Sequence, residues 1–319
     1  MAKSNMATPP AGADQRRPLA GAGSSHLGEK SIKFLLALCA AFSIIVTTGI
    51  VVALVVPTVS FFGEITFSEF LFGTVWQPAF ANPSFGVLPI VVGTLIVVVT
   101  ALVVAIPIGL ASAVYLSEYA SPRVRKTIKP VLEVLEGIPT VAIGLFAFFF
   151  MRPIAESLFP FFPWETPFSI GIAGMAVGLL IVPLVASVSE DAMRSVPGGL
   201  REGAYALGSS KMRVTLRVVF PAAISGIIAG IVLGTSRAIG ETMVVLIAAG
   251  AGNPNLTFDW FNSAQTMTAY IGGTATGDIP QGTIVYDTIF AVGTLLFSMT
   301  LVMNIIATRL VRRFREVYE

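Results

Sequence analysis

Charged residues are scarce in this chain. Asp, Glu, Lys and Arg make up 12% of its 319 residues, against about 25% in a typical soluble domain. Cys39 is the one cysteine, so no disulfide can form within the chain. His26 is the one histidine, and a metal site built from His and Cys ligands is therefore excluded. The hydrophobic residues, 55% of the chain, lie in long blocks, which indicates a membrane protein.

The apolar blocks predict an all-α polytopic membrane protein with six transmembrane helices. A span needs about 20 residues, because a helix rises ~1.5 Å per residue and the hydrocarbon core is ~30 Å thick. Residues 1–30, rich in Ala, Gly, Ser and Pro, are expected to form a disordered cytoplasmic tail, and residues 316–319 a short C-terminal tail. Pro57 is expected to end the first span. The spans predicted within the transmembrane domain, 31–315, are residues 34–56, 87–115, 131–151, 168–188, 221–250 and 284–308.

The positive charges predict which side of the membrane each connection faces. All of the 20 Lys and Arg residues except Arg152 and Arg237 fall in the N-terminal region, residues 118–130, residues 190–220 or the C-terminal tail. These are alternate connections, and Lys and Arg concentrate on the cytoplasmic side of membrane proteins. Both termini are therefore expected in the cytosol. The outer connections are mostly acidic, which repels anions, so an anionic substrate would need another protein to deliver it.

Residues 190–220 form the longest polar connection between predicted spans. The Pro-Gly-Gly run at 197–199 would break a helix, and a short helix is predicted from Leu200 to a glycine stop at Gly208. The segment has the glycine spacing of a phosphate-binding loop, but Ser209 stands where that motif requires Lys, and no strand precedes it. No nucleotide or other cofactor is therefore expected on this chain.

The same segment resembles a motif of the permeases of ATP-binding-cassette (ABC) importers: Glu-Ala-Ala, three residues, Gly, nine residues, Ile, one residue, Leu-Pro. In that family the loop forms a coupling helix that lies in a groove of the ATPase subunit. The resemblance implies a type I ABC importer permease core, coupling through residues 200–221, and ATP and Mg²⁺ bound by the partner ATPase. Gly203, Val218 and Phe220 depart from the motif, where it has Ala, Ile and Leu, by small or apolar exchanges. The residues aligned with the motif are Glu202, Gly203, Ala204, Gly208, Val218, Phe220 and Pro221.

The predicted fifth span carries two charged residues, Arg237 and Glu241. A charge near the middle of a membrane costs ~2.5–3.5 kcal/mol even on a lenient scale, so Arg237 must face protein or water. Its planar guanidinium suits a tetrahedral oxyanion because it donates two parallel hydrogen bonds. Glu241, one helical turn on, is expected to hold Arg237 in place when the site is empty, although the pair could instead be a salt bridge that joins helices. Glycines predicted on the same helical face, where they allow close helix packing, are Gly226, Gly230 and Gly234.

Residues 237–243, Arg-Ala-Ile-Gly-Glu-Thr-Met, resemble the Arg-x-x-Gly-Glu-Thr signature of the membrane subunits of phosphate-specific ABC importers. The methionine after the Thr, Met243, resembles the C-type subunit (PstC) rather than the A-type. Residues 136–144 also resemble the corresponding segment of this family. The resemblance implies that Arg237 and Glu241 take part in phosphate translocation. It also implies a place in the bacterial inner membrane and four partners besides lipid and phosphate: an A-type permease, two ATPase subunits and an extracytoplasmic phosphate-binding protein. Nucleic acid is not expected among the partners.

Three alternatives remain open from the sequence. An ABC importer of the same kind could carry another oxyanion, such as sulfate, molybdate or phosphonate. An ion-coupled secondary transporter could use Arg237 and Glu241 to relay protons, but the spacing of the coupling motif argues against it. A membrane sensor could report phosphate supply to a signalling kinase, and this role is compatible with transport.

Overall fold

A computed structural model of the chain describes residues 26–250 and 252–313. These residues form helices and no strand; the only extended pairings among them are two isolated bridges. The predicted all-α fold is confirmed. The helices are α1 His26–Glu64, α2 Phe67–Phe72, α3 Leu88–Val114, α4 Pro122–Glu136, α5 Thr140–Phe146, α6 Arg152–Leu158, α7 Ile170–Arg194, α8 Gly198–Ala206, α9 Lys211–Val214, α10 Phe220–Ala222, α11 Ile224–Ile239, α12 Met243–Ala248, α13 Met267–Ala275 and α14 Ile284–Arg313. Five-residue π-helical segments continue α3, α5 and α9, at Tyr115–Tyr119, Ala147–Met151 and Thr215–Val219.

Five helical stretches in the described part of the chain are long and apolar enough to cross a membrane. A sixth follows if Lys211–Ala222 and Ile224–Ile239, which meet at an angle of 70°, form one broken span. The structure therefore agrees with six spans, one of which is bent. The five unbent stretches are Glu29–Glu64, Leu88–Tyr119, Thr140–Leu158, Ile170–Arg194 and Ile284–Arg312.

The first span is longer than predicted. Pro57 lies inside α1, which continues to Glu64, so the expectation that Pro57 ends the helix was wrong. Proline removes one hydrogen bond, but its fixed φ fits a helix, and the apolar turns on both sides keep their own bonds. Residues 26–30 of the predicted tail belong to α1, whereas residues 1–25 and 316–319 lie outside the described residues.

The chain divides into two compact units, Met1–Ala53 and Leu54–Glu319. The described part of the first unit, residues 26–53, is helical throughout. Its large apolar side chains are exposed on all sides, as at Phe34, Phe42 and Ile45. A helix that is hydrophobic all round is typical of a membrane span.

The third and fifth predicted spans each contain a break between two helices. The span predicted for 131–151 begins at Thr140 instead, because α4 runs through Pro130 and ends at Glu136. Ser121 caps the start of α4, since its side chain accepts a hydrogen bond from the Val124 N–H at 3.4 Å. The span predicted for 221–250 is bent after α10 and interrupted again at 240–242, between α11 and α12.

Helix α7 forms the centre of the larger unit. It packs against α3, α4, α11 and α12, and most of its residues between Ile170 and Val185 are buried. Small residues allow the close approach of α3, since a β-carbon added to Gly174 would lie 2.7 Å from the β-carbon of Thr100. The position of α7 matters for the site because both α4 and α11 rest on it.

Candidate functional site at the breaks of the third and fifth spans

The three predicted glycines lie on the face of α11 that packs against α7. A β-carbon added to Gly226 would lie 2.4 Å from the β-carbon of Ala192, closer than two such atoms can approach. At Gly230 and Gly234, the added atom would meet side chains of α7 at 3.2 and 3.1 Å. The absence of side chains at these positions therefore sets the distance between α11 and α7.

Arg237 lies in the last turn of α11. It is 13 residues beyond Ile224, or about 20 Å along the helix at ~1.5 Å per residue. Its Nη1 donates to Oε1 of Glu136 at 2.9 Å, and its Nη2 donates to the backbone carbonyl of Glu136 at 3.1 Å. Glu136 is the last residue of α4, where the helix leaves carbonyl groups unpaired and favours a positive charge. Arg237 therefore joins the end of α11 to the end of α4.

Glu241 does not pair with Arg237, and the predicted contact between them is wrong. Because α11 ends at Ile239, Glu241 lies in the break and not one helical turn further on the same face. Its side chain is 8% exposed, and its Oε1 accepts a hydrogen bond from the N–H of Val244 at 3.2 Å. Its backbone carbonyl accepts another from Thr268 Oγ1 at 2.7 Å. Glu241 thus caps the start of α12 and fixes the break in place.

The breaks in the two spans lie side by side. α12 packs against α5, and a β-carbon added to Gly144 of α5 would meet Ile247 at 3.2 Å. The Arg237–Glu136 pair connects the two breaks on their other side. Arg237 and Glu136 are 31% and 34% exposed, so the pair is open to the space outside this chain. The geometry presents a half-exposed cation between two helix ends inside an otherwise apolar region.

Helix α8 carries the residues that were predicted to couple to an ATPase. None of its residues is buried, and Glu202 and Gly203 are exposed, whereas Ala204 is half-buried. Gly208 ends the segment with φ of +75°, a conformation that glycine adopts without steric cost. Pro221 lies in α10, directly before the 70° bend into α11.

Arg201, which the sequence interpretation did not single out, fastens α8 to the rest of the protein. Its Nη1 donates to the carbonyl of Val196 at 2.6 Å, and its Nη2 donates to the carbonyl of Met193 at 2.7 Å. Nη2 also donates to Oε1 of Glu118 at 3.1 Å, and the Glu118 side chain is only 6% exposed. One side chain therefore connects α8 to the end of α7 and to the π-helical segment after α3. The one feature of the sequence that could have pointed to Arg201 is its position directly before Glu202, where the coupling motif begins.

A second ion cluster, also missed from the sequence, holds α4 against α7. Glu190 of α7 is 1% exposed and accepts from Arg125 Nε at 2.7 Å and from Lys129 Nζ at 2.9 Å. Lys129 also pairs with Asp191. Partial burial acts to lower the pKa of Lys129, but the hydrogen bonds to Asp191 and Glu190 outweigh it and raise the pKa above its ordinary value. The first half of α4 is thereby fixed, while Glu136 lies at its far end.

The comparison with known proteins agrees with this architecture. Residues 105–316 match the family described as binding-protein-dependent transport system inner membrane component. The chain belongs to this family. Together with the apolar helices, this makes the chain a multi-pass inner-membrane protein and a permease subunit of the ABC importer type. The sequence-based prediction of that family is confirmed.

Several relatives match over most of their length. The probable ABC transporter permease protein YqgH of Bacillus subtilis is 32% identical over 232 residues, which cover 73% of this chain and 74% of the relative. The phosphate transport system permease protein PstC of Mesorhizobium japonicum is 30% identical over 261 residues, covering 77% and 78%. The PstC 1 protein of Mycobacterium tuberculosis is 32% identical over 246 residues, covering 72% and 73%.

Solved structures show the same fold at low sequence identity. A chain of the bacterial alginate ABC transporter, in complex with an alginate pentasaccharide-bound periplasmic protein, matches with a TM-score of 0.63 and 17% identity over 92% of this chain and 100% of that chain. A chain of the MetNI methionine ABC transporter in an inward-facing conformation matches with a TM-score of 0.52 and 18% identity, over 72% and 95%. These similarities bear on the fold alone.

Proposed function

We propose that this chain is the C-type permease subunit of an ATP-driven phosphate importer. It forms half of the translocation pathway, and an A-type permease forms the other half. Two ATPase subunits bind ATP and Mg²⁺ on the cytosolic side, where both termini of this chain lie. An extracytoplasmic binding protein delivers phosphate to the outer, acidic face. The relatives that bear the name PstC and the signature at 237–243 support the choice of phosphate.

The observation that carries the proposal is the Arg237 guanidinium at the junction of the two breaks. A cation in an apolar span is costly unless it serves a function or is paired. Arg237 makes only a two-point contact with Glu136 and stays 31% exposed, so an anion from outside the chain can reach the fork once that contact opens. Two parallel N–H donors match two oxygens of a tetrahedral oxyanion.

Coupling to the ATPase is proposed for α8 and the residues that follow it. The segment presents apolar side chains to solvent, with Leu207 89% and Met212 65% exposed. Exposed apolar groups on a short helix with a fixed glycine stop are suited to dock in a groove of a partner. Because Arg201 fastens α8 to the ends of two spans, a displacement of the docked helix would reach the membrane region directly.

Uptake by an Arg237→Ala variant tests the proposal. The reconstituted complex should lose phosphate uptake, while co-purification of its subunits remains normal. Arg309→Ala, which removes an exposed arginine of α14, is the matched control and should transport normally. Normal uptake by the Arg237 variant would refute the role of this residue. Uptake driven by a proton gradient without the ATPase would instead favour the secondary-transporter alternative.

The choice among oxyanions needs a separate measurement. Sulfate, molybdate and a phosphonate should each fail to compete with radiolabelled phosphate at equal concentration. If one of them competes more strongly than unlabelled phosphate, the importer is assigned to that anion, and the proposed transport mechanism is unchanged.

A further inference from the structure

The carboxylate of Glu136 occupies the position in which an oxyanion would bind Arg237. It places one oxygen 2.9 Å from Nη1, and the backbone carbonyl of the same residue adds a second oxygen 3.1 Å from Nη2. Two oxygens on a guanidinium fork are the arrangement that a phosphate group would also offer. In this conformation the site is therefore filled by a group that belongs to the chain itself.

The two acidic residues near Arg237 differ in how freely they can leave their places. Glu241 is 8% exposed and is held by the N–H of Val244, so its removal would open the cap of α12. Glu136 is 34% exposed, and its side chain makes no further hydrogen bond or ion pair in the described part of the chain, so its carboxylate regains water when it leaves Arg237. The cost of breaking an exposed ion pair is small compared with that of a buried one. Glu136 is thus suited to exchange with another anion.

The position of Glu136 in the chain also allows the exchange to follow a change in shape. The first half of α4 is fixed to α7 by Glu190, but Glu136 is the last residue before the break at 137–139. Arg237 lies just before the break at 240–242. A shift of α11 along α7 would therefore move Arg237 relative to Glu136, whereas the first half of α4 stays fixed to α7.

We propose that Glu136 is an internal competitor for the anion site: its carboxylate pairs with Arg237 when the site is empty, the transported anion displaces it, and its return promotes release of the anion. The inference rests on the proposed function, in which Arg237 contacts the anion. It assigns to Glu136, and not to Glu241, the role of balancing the charge of Arg237 in the empty state.

Equilibrium binding of radiolabelled inorganic phosphate to the purified, detergent-solubilised complex without the binding protein tests this inference. Glu136→Gln keeps the size and the backbone contact but removes the competing charge. The variant should bind phosphate about tenfold more tightly than the wild type, the change that corresponds to one charge-assisted hydrogen bond at a half-exposed site. Its maximal rate of uptake should fall, because release is no longer assisted. Glu136→Ala, which also retains the backbone carbonyl, should show the same tightening if the amide variant assembles poorly.

Glu133→Gln is the matched control. Glu133 lies on α4 three residues earlier, is exposed and makes no ion pair or hydrogen bond in the described part of the chain, so this variant should bind as the wild type does. Unchanged, weaker or undetectable phosphate binding by the Glu136 variants would overturn the inference. If Arg237→Ala abolishes binding and uptake while Glu136→Gln behaves as the wild type, only the inference fails. If Arg237→Ala binds and transports phosphate normally, the proposed role of Arg237 is refuted, and the inference that rests on it is refuted as well.

Discussion

Arg201 provides the sharpest test of how α8 is held. Replacing it with Met keeps a side chain of similar length but removes the charge and every donor. The carbonyl groups of Val196, just after α7, and of Met193, in its last turn, lose hydrogen bonds of 2.6 and 2.7 Å. Glu118, 6% exposed, is left without its cation. Removing one partner of a buried ion pair costs ~3–5 kcal/mol. Because the Arg201 side chain is 20% exposed and water can reach part of the site, we expect the lower end, about 3 kcal/mol.

This loss should appear as faster hydrogen exchange of the backbone amides in α8. A local opening that becomes 3 kcal/mol easier is roughly a hundredfold more populated, since each 1.4 kcal/mol is a factor of ten. Mass spectrometry of peptides covering residues 198–208 should therefore show exchange about a hundredfold faster in Arg201→Met, with α7 unchanged in its middle. In the full complex, ATP hydrolysis should continue while phosphate uptake falls.

Arg213→Met is the control for this experiment. Arg213 is exposed on α9 and makes no hydrogen bond or ion pair in the described residues, so its loss should leave the exchange of α8 unchanged. Glu118→Gln should have a smaller effect than Arg201→Met, because Arg201 would keep both carbonyl contacts. If α8 exchanged at the same rate in Arg201→Met and in the wild type, the reasoning about this anchor would be refuted.

Two further predictions concern the packing on α7. Gly226→Ala places a β-carbon 2.4 Å from that of Ala192, so the overpacking should lower the free energy of unfolding by about 1–3 kcal/mol and with it the melting temperature. Gly49→Ala, which has nothing within 4 Å of the added atom, should leave both unchanged. Equal melting temperatures for both variants would contradict the close packing. Glu190→Gln removes a carboxylate that is 1% exposed, so Arg125 loses its ion-pair partner and Lys129 keeps only Asp191. The variant should cost about 3 kcal/mol and speed the exchange of amides in α4. Unchanged exchange in α4 would show that another contact holds this helix.

The sequence predicted the spans well because length and hydropathy decide which segments can cross a membrane. It predicted the glycine stop at Gly208 because such a stop depends on the chemistry of a few adjacent residues. It did not predict the break at 240–242, since Gly-Glu-Thr interrupts an apolar run too briefly to change its average character. Here the side-chain cap from Glu241 and the contact of α12 with α5 decide where the helix ends.

The partner of Arg237 could not be read from the sequence for a related reason. Helical periodicity relates residues three or four apart on one continuous helix, and it therefore selected Glu241. Once α11 ends at Ile239, that relation no longer applies. Glu136 is 101 residues away in the chain and reaches Arg237 only because α4 and α11 both pack on α7. Arg201 and Glu118 likewise meet through tertiary packing across 83 residues.

The contacts on α7 explain why a movement of the helices should change the distance between Arg237 and Glu136. Glu190 fixes the start of α4 to α7, and Arg201 fixes α8 to the end of α7. α11 packs against α7 at its glycines and makes no ion pair or side-chain hydrogen bond with α7 in the described residues, so we expect it to shift along α7 at less cost than the ion-paired helices. A displacement that enters through the residues that follow α8 and reaches α11 by way of the bend at 223 would then move Arg237 relative to α4, which stays fixed to α7. We propose that the pair with Glu136 lengthens in that step and frees the guanidinium for an anion.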